Sequence, residues 1–435
     1  MNFNKLRTST PFTIQNPKHF KQQLLHWAQQ FREVIFLDSN NYHQKYTSYD
    51  AVLAVDALTS VQTDYHNAFE DLATYQQTTK DWVFGYLSYD LKNDMEKLES
   101  ANFDGLNFPE LFFFQPKKLF LFNGDQLEVQ YLKMCDDEIE DDFNEILNTL
   151  VEYHKKKSNP LTIQQRITKE SYLDKVSQML AHIHRGDIYE ANFCMEFYAN
   201  DAEINPFDVF QKLNAISEPP FAAYFKNFKN YLLCASPERF IKKQGDKVIS
   251  QPIKGTARRS SDAKEDEAIK QELTINEKER SENIMIVDLV RNDLSRTAAK
   301  GSVNVEELCG AYSFKQVHHL ISTITSQVAE GISAVDVIKA AFPMGSMTGA
   351  PKISAMQIIE KLEETKRGLY SGAVGYFTPN GDFDFNVVIR SILYNAESKY
   401  ASFSVGSAIT AKSVPEKEYE ECLLKAKAMR SVLED

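Results

Sequence analysis

An α+β layered domain is the fold class that this sequence predicts, and three observations carry that expectation. Short apolar runs rich in aromatic and β-branched residues recur in clusters along the chain. Amphipathic helical stretches stand between those clusters instead of following each strand, so the regular βαβ alternation of a Rossmann or TIM architecture is missing. Turn signals such as Pro379-Asn380-Gly381 join neighbouring runs as hairpins. Phe (29) and Tyr (20) are abundant among the 435 residues, with five Phe between Phe112 and Phe122, a wealth that suits sheets and buried faces.

Taken in order, residues 1–158 form a first region expected to pack on the core. It holds strand-like runs at Val34-Ile35-Phe36-Leu37 and at Trp82–Leu87. Phe143, Ile146 and Leu150 keep helical spacing in a charged stretch, which predicts a surface helix followed by a linker around Lys155–Pro160. Residues 160–435 form the second domain, denser in punctuation and chemistry. Tyr172–Ile183 reads as an amphipathic helix ending near Gly186, followed by strands at Phe221–Phe225, Tyr231–Cys234, Phe240–Lys243 and Val248–Pro252. Glu279–Leu294 places Ile284, Val287, Val290 and Leu294 on one helical stripe. Pro351–Thr365 is a further helix, and Tyr370–Phe377, Phe385–Tyr394 and Tyr400–Ser407 are strands.

Composition excludes several classes of function. Apolar residues make up 43% and charged residues 25%, an ordinary globular balance. The formal charge of -12 argues against nucleic acid and against anionic membrane surfaces, both of which need clustered Lys and Arg. No apolar run reaches the roughly 18–20 residues of a membrane-spanning helix, and Met1–Phe12 lacks the apolar stretch of a secretory signal. The five cysteines are scattered without a CxxC, which predicts reduced thiols in the cytoplasm.

Several segments carry candidate chemistry. Gly345-Ser346-Met347-Thr348-Gly349-Ala350-Pro351-Lys352 is a small-residue loop feeding a helix, where free N–H groups favour an anion, although a Walker A needs other spacing. By spacing alone it is equally an ordinary capped helix. Glu279/Glu282 and Glu418/Glu421 each share a helix face, so each pair could hold a hard cation or simply be solvated. Lys254 follows an apolar strand and precedes a glycine, so its amine either projects inward as a nucleophile or lies exposed. One of His318 and His319 would be a core residue and the other an acid/base group. Cys194 lacks the Gly-x-Cys-x-Gly elbow of a glutaminase nucleophile, as does every other cysteine.

These segments, in order, resemble the chorismate-utilising enzymes. The matching stretches are Gly186-Asp187-Ile188-Tyr189, Ser236-Pro237-Glu238-Arg239-Phe240, Pro252-Ile253-Lys254-Gly255-Thr256 and Glu282–Leu294. Gly349-Ala350-Pro351-Lys352, Tyr370–Tyr376 and Val388-Ile389-Arg390-Ser391 complete the series, which covers about 160–430, with a weak extension to Gly85–Asp90. Within the family, aminodeoxychorismate synthases carry Lys at the position of Lys254, and anthranilate synthases carry Ala. Isochorismate and salicylate synthases place a water-activating lysine where this chain has Glu190, and many other relatives carry Gln there. Ala408 stands where many have Gly.

The resemblance implies a four-layer α/β/β/α fold with two large packed, mostly antiparallel sheets. It implies amination of chorismate at C4 by a covalent route, in which Lys254 attacks C2, Glu238 is the general acid and His319 assists. It further implies Thr348, Gly349, Tyr370, Arg390, Gly406 and Lys425 around the substrate, and Mg²⁺ on Glu279, Glu282, Glu418 and Glu421. Ammonia would come from a separate glutaminase subunit. Action as a nucleophile requires the neutral amine, so the site is expected to lower the pKa of Lys254 from about 10.4. The alternatives are anthranilate synthase component I, which shares everything except Lys254, and a catalytically silent chorismate-binding subunit.

Overall fold

Alternation along the strand Glu33–Asp38 sets the architecture. Val34 and Phe36 enter one hydrophobic core and Ile35 enters another, so both faces of the strand are covered. The computed structural model of the protein describes residues 6–42, 45–96, 98–151 and 161–434. Among these residues every ladder between the strands named below is antiparallel. One arm of sheet starts at Arg7–Thr13 and passes through Gln126–Leu132, Leu111–Asn123, Ala51–Thr63, Glu33–Asp38 and Phe221–Asn227. It continues through Asn230–Ser236, Ser391–Asn395 and Tyr400–Thr410 to Glu190–Ala199. A second arm leaves the same Leu111–Asn123 strand through Val83–Leu87, Ala373–Phe377, Phe383–Val387, Arg239–Gln244 and Lys247–Gln251. It ends at Val317–Gln327, which also pairs with Ile253–Arg258 and Asn304–Ser313.

The two arms pack face to face, and helices cover their outer sides. Apolar residues of Pro17–Trp27, Ile139–Asn148, Lys169–Arg185, Pro206–Ser217, Lys352–Leu362 and Pro415–Glu434 join one face of the first arm in one core. Ala68–Thr79, Glu277–Ser295 and Ala334–Ala341 pack with the second arm and the inner face of the first. The layers therefore run helix, sheet, sheet, helix, as the family resemblance implies. Strands from the first 150 residues complete both arms. No helix among the described residues is long and apolar enough to cross a membrane.

Several elements differ from expectation. Phe385–Tyr394 is two strands, Phe383–Val387 and Ser391–Asn395, because Arg390 adopts a left-handed φ of 52° between them. The strand expected from Tyr370 begins at Ala373, after a turn closed by Gly372 N–H to the Leu369 carbonyl. Pro351 caps the helix Lys352–Leu362, which stops where Glu363 turns extended. Leu150 is exposed, outside the helix Ile139–Asn148, because Thr149 is extended. The expected Lys155–Pro160 linker lies outside the described residues.

Candidate active site

Lys254 owes its position to a fault in a ladder. The register of Ile253–Arg258 against Val317–Gln327 slips between Ile253 and Thr256, and such a bulge re-aims side chains. Gly255 makes the slip possible with a φ of +94°, where a Cβ would also press on Leu320 and on the Glu279 stem. Asn283 donates from Nδ2 to the carbonyls of Lys254 at 3.1 Å and Leu320 at 3.3 Å, tying the helix Glu277–Ser295 to this bulge. The Lys254 side chain is only 12% exposed, and its Nζ lies 3.0 Å from Glu190 Oε1. Burial alone would lower the pKa of this amine, but attraction to Glu190, Glu282 and Glu238 outweighs burial and holds it above its ordinary value. The expected lowering is thus corrected: Lys254 is held as an ammonium by its carboxylate neighbours.

Glu190 opens the strand Glu190–Ala199 and pairs in register with Ala350 of the small-residue loop. Gly349 crosses so close that a Cβ there would fall 2.2 Å from the Glu190 carbonyl, which explains the glycine. The loop uses some of its own donors: the Thr348 N–H bonds to the Gly345 carbonyl at 3.2 Å. Lys352 is engaged by Asp293 at 2.6 Å. The same loop aims Ser346 Oγ at Glu238 Oε1, 2.7 Å away. Glu238 is buried, and desolvation lifts its carboxyl to about 7 against the opposing pull of Ser346 and Lys254. A carboxyl poised there gives and takes protons at neutral pH.

The histidine pair divides its labour. His318 is satisfied by Ser313 Oγ at 2.9 Å and Asp266 Oδ1 at 3.0 Å, a structural arrangement. His319 places Nδ1 3.0 Å from Thr256 Oγ1 and 3.3 Å from the Gly255 carbonyl. Burial, with Arg390 nearby, lowers its pKa to about 3, so it is a neutral imidazole whose Nδ1–H faces that carbonyl. It can accept or relay a proton but is not a standing cation. Arg390 sits in its left-handed turn, its backbone carbonyl accepting from the Ala235 N–H at 3.1 Å. Burial lowers the Arg390 pKa, with the Tyr370 and Glu421 charges opposing. Tyr370 is buried, its hydroxyl 3.7 Å from Cys194 Sγ. The Cys194 thiol, pushed up to about 12 mainly by burial, is no nucleophile.

Three glutamates, Glu279, Glu282 and Glu421, line the next stretch. Burial pushes Glu282 up to about 7, with Lys254 and Lys278 opposing and Glu279 and Glu190 adding to the rise. Glu279 is raised by burial and by Glu421. Glu421 is lowered, because Lys425 at 2.6 Å overcomes its burial. Lys425 also donates to the Gly406 carbonyl at 2.8 Å, and Glu418 is buried one turn earlier on the same helix. Among the described residues no three ligand-type side chains are gathered tightly enough to cage a metal ion. The donor chemistry nevertheless suits a hard divalent cation, since Glu279 feels Glu421 and Glu282 feels Glu279 as like charges that such an ion would relieve.

Comparison with known proteins identifies the family. A model of chorismate binding enzymes matches residues 25–431. The chain belongs to that family. Aminodeoxychorismate synthase component 1 of Bacillus subtilis is 33% identical over 389 residues, covering 85% of this chain and 81% of that protein. Anthranilate synthase component 1 of Thermus thermophilus is also 33% identical, over 364 residues, covering 81% of this chain and 77% of its own length. The crystal structure of anthranilate synthase component I from Streptococcus pneumoniae superposes with a TM-score of 0.77 at 24% identity, covering 89% of this chain and 93% of that one. That likeness concerns the fold alone.

In this chorismate-binding enzyme the fold brings Lys254, Glu238, Glu282 and Glu190 into one electrostatic group, with His319 beside the bulge. Lys425, Glu421 and Gly406 form a contiguous second group. Gly406 is also required by packing, because a Cβ there would lie 2.6 Å from Cys194 Sγ. Sequence reasoning missed Ser346 as a partner of Glu238 and missed Arg367. Arg367 donates to the carbonyls of Met347 at 2.6 Å and Asn192 at 2.7 Å while paired with Glu363, fixing the loop to its neighbouring strand. Charged Glu363 and Arg367, four residues apart with Gly368 following, were the available signal.

Proposed function

We propose that this chain converts chorismate and ammonia to 4-amino-4-deoxychorismate, a precursor of p-aminobenzoate and folate, through a covalent adduct on Lys254. Lys254 passes its extra proton to a neighbouring carboxylate, its neutral Nζ bonds to C2 of chorismate while the C4–O bond breaks, and Glu238 gives its proton so that water leaves. Ammonia then bonds to C4, the C2–N bond breaks, and the electron pair returns to Lys254. His319, neutral and fixed by Thr256, orients and relays at the leaving oxygen. Arg390 receives one substrate carboxylate through its planar fork, with Tyr370 and the Thr348–Gly349 and Gly406 backbone shaping the cradle. Glu279, Glu282, Glu418 and Glu421 are the residues that would hold Mg²⁺, which when bound would offset the charge of the other carboxylate.

The observation that carries this reading is the nearly buried Lys254, an amine where the C2-aminating relatives carry Ala, electrostatically coupled to an acid poised near neutrality. Anthranilate synthase names among the relatives keep C2 amination as the competing outcome. The test is product identity. Purified chain, chorismate, an ammonium salt and Mg²⁺ should give 4-amino-4-deoxychorismate by chromatography and mass spectrometry, and anthranilate would overturn the assignment. Glutamine should replace the ammonium salt only when a separate glutaminase subunit is added.

A further inference from the structure

The slip that aims Lys254 sets main-chain groups outside the ladder. Ile253 pairs with Ile321 and Thr256 with His319, so Lys254, Gly255 and Leu320 fall outside that register. The strand on the other side of Val317–Gln327 has a fault of its own between Glu307 and Gly310, where Cys309 takes a left-handed φ of 55°. One side chain of the helix Glu277–Ser295 serves both faults. Asn283 is 1% exposed, and its Nδ2 donates to the carbonyls of Lys254 and Leu320, residues that the first fault sets aside. Its Oδ1 accepts from the Ser322 hydroxyl and from the Cys309 thiol at 3.5 Å, and Ser322 Oγ accepts from the Cys309 N–H at 2.9 Å. A primary amide offers two donor hydrogens and two acceptor lone pairs, and here all four are engaged. A carboxylate lacks the donors and a hydroxyl lacks the second one, so neither could hold both carbonyls.

We propose that Asn283 is a positioning residue, whose amide fixes the backbone bulge from which Lys254 reaches the substrate. This rests on the covalent reading above. Asn283 binds the Lys254 carbonyl, so it acts through the direction in which the lysine side chain leaves the strand. Without the amide, two buried carbonyls lose their donor, and a buried polar group left unpaired is costly. The cheapest repair is a return of Ile253–Arg258 toward regular pairing, and a shift of register turns side chains to the other face of a sheet. Gly255, left-handed in the bulge, adopts extended backbone equally well, so the glycine permits both arrangements and Asn283 selects one. In the selected one Lys254 Nζ lies 3.0 Å from Glu190 Oε1, inside the site.

The test separates aim from folding. Wild type, Asn283→Ala and Ser322→Ala are each mixed with chorismate and Mg²⁺ without an ammonium salt, below their melting transitions. The rate of Lys254 adduct formation is read by intact-protein mass spectrometry and expressed per folded molecule. Asn283→Ala should form the adduct on the order of 10²-fold more slowly, the scale of a reacting group misplaced by about 1 Å. Its kcat for amination should fall in step, while the KM for chorismate stays within about twofold, because Arg390 and the Thr348–Gly349 and Gly406 backbone lie on other elements. Ser322→Ala removes only a hydroxyl that holds Asn283 Oδ1, so its loss should be about two- to tenfold, the scale of one neutral hydrogen bond. Lost packing alone would lower the folded fraction and leave the rate per folded molecule unchanged. An unchanged adduct rate in Asn283→Ala, or in Ser322→Ala should Asn283→Ala not fold, would overturn the positioning role and spare the covalent route. A loss carried by KM with kcat intact would do the same. A wild type that forms no adduct would overturn both.

Discussion

Lys92 and Lys254 are both taken out of water, and their surroundings differ. Lys92 is fully buried, and its Nζ lies 2.7 Å from Ser100 Oγ, 3.0 Å from Asn93 Oδ1, 3.2 Å from Glu360 Oε2 and 3.3 Å from Asp90 Oδ1. Every donor has an acceptor, and the cluster ties the segment after Val83–Leu87 to the helix Lys352–Leu362. Lys254 has Glu190 as its one ion-pair partner among the described residues, and that partner keeps an oxygen unused. Around Lys254, burial and three carboxylates pull its protonation in opposite directions. A saturated buried network rigidifies, whereas an unsaturated one retains capacity for incoming groups. Satisfaction of polar groups, more than burial, separates the lysine that holds the fold from the lysine offered for chemistry.

The largest effect should come from removing the unsaturated lysine. Lys254→Ala should lower C4 amination by about 10³-fold or more, the scale on which loss of a covalent nucleophile acts. The chorismate adduct seen in wild type without ammonia should vanish with it, and residual chemistry should shift toward C2. The variant should also melt at a lower temperature, because Glu190 is left buried with neither oxygen paired, so product and adduct are read below its transition. A Lys254→Ala enzyme that makes the same C4 product at full rate would erase the distinction between the two lysines.

The carboxylates come next. Glu282→Ala or Glu421→Ala removes a donor from a set that feels its own like charges, so activity at limiting Mg²⁺ should fall by orders of magnitude. Excess Mg²⁺ should restore part of it. Titration of activity against Mg²⁺ in both variants checks this, and unchanged dependence would remove these residues from the cation site.

The Lys254 side of this contrast was legible in the sequence, and the Lys92 side, which was not, has a physical cause in partners that follow no local period. Lys254 and Glu238 stood out because each lies in a short motif with a glycine or proline beside it, and His319 because it belongs to a histidine pair in an apolar segment. The strands Glu33–Asp38 and Val83–Leu87 were visible as continuous apolar runs buried on both faces. The Lys254–Glu190 pair was invisible, since it joins the first arm of sheet to the second and follows no local period. The raised pKa of Lys254 followed from that same unseen pair. Arg390 was read through as strand because Val388-Ile389-Arg390-Ser391 has β composition, and only the backbone shows the left-handed turn.

A smaller effect on activity, though a clear one on stability, belongs to the saturated lysine. Lys92→Met leaves buried Asp90 and partly buried Glu360 without their cation, and breaking a buried pair in this way costs about 3–5 kcal/mol. Thermal unfolding should show a marked drop in melting temperature, while kcat and the KM for chorismate stay near wild type below the transition. A variant as stable as wild type would show that this network is dispensable.

The smallest effect should come from Ser346, and its sign is fixed by the group it serves. Ser346 Oγ donates to Glu238 Oε1, which favours the ionised carboxylate, while burial pushes the other way and wins, setting the carboxyl at about 7. Ser346→Ala removes the hydroxyl that opposes burial, so the Glu238 pKa should rise further. A hydrogen bond to a charged group contributes about 1.5–3 kcal/mol, so the rise should be on the order of one pKa unit. Glu238 must be protonated to act as an acid, so wild-type kcat/KM should fall as pH rises through 7, and the variant should hold its rate to higher pH. Stability follows the same proton. The folded chain keeps a proton that the unfolded chain releases near pH 4.3, so wild-type stability declines as pH rises from about 4.3 to 7. In Ser346→Ala that decline should continue above pH 7. A pH–rate profile with paired melting curves reads both, and a basic limb that stays put or moves to lower pH would show that Ser346 does not set the acidity of Glu238.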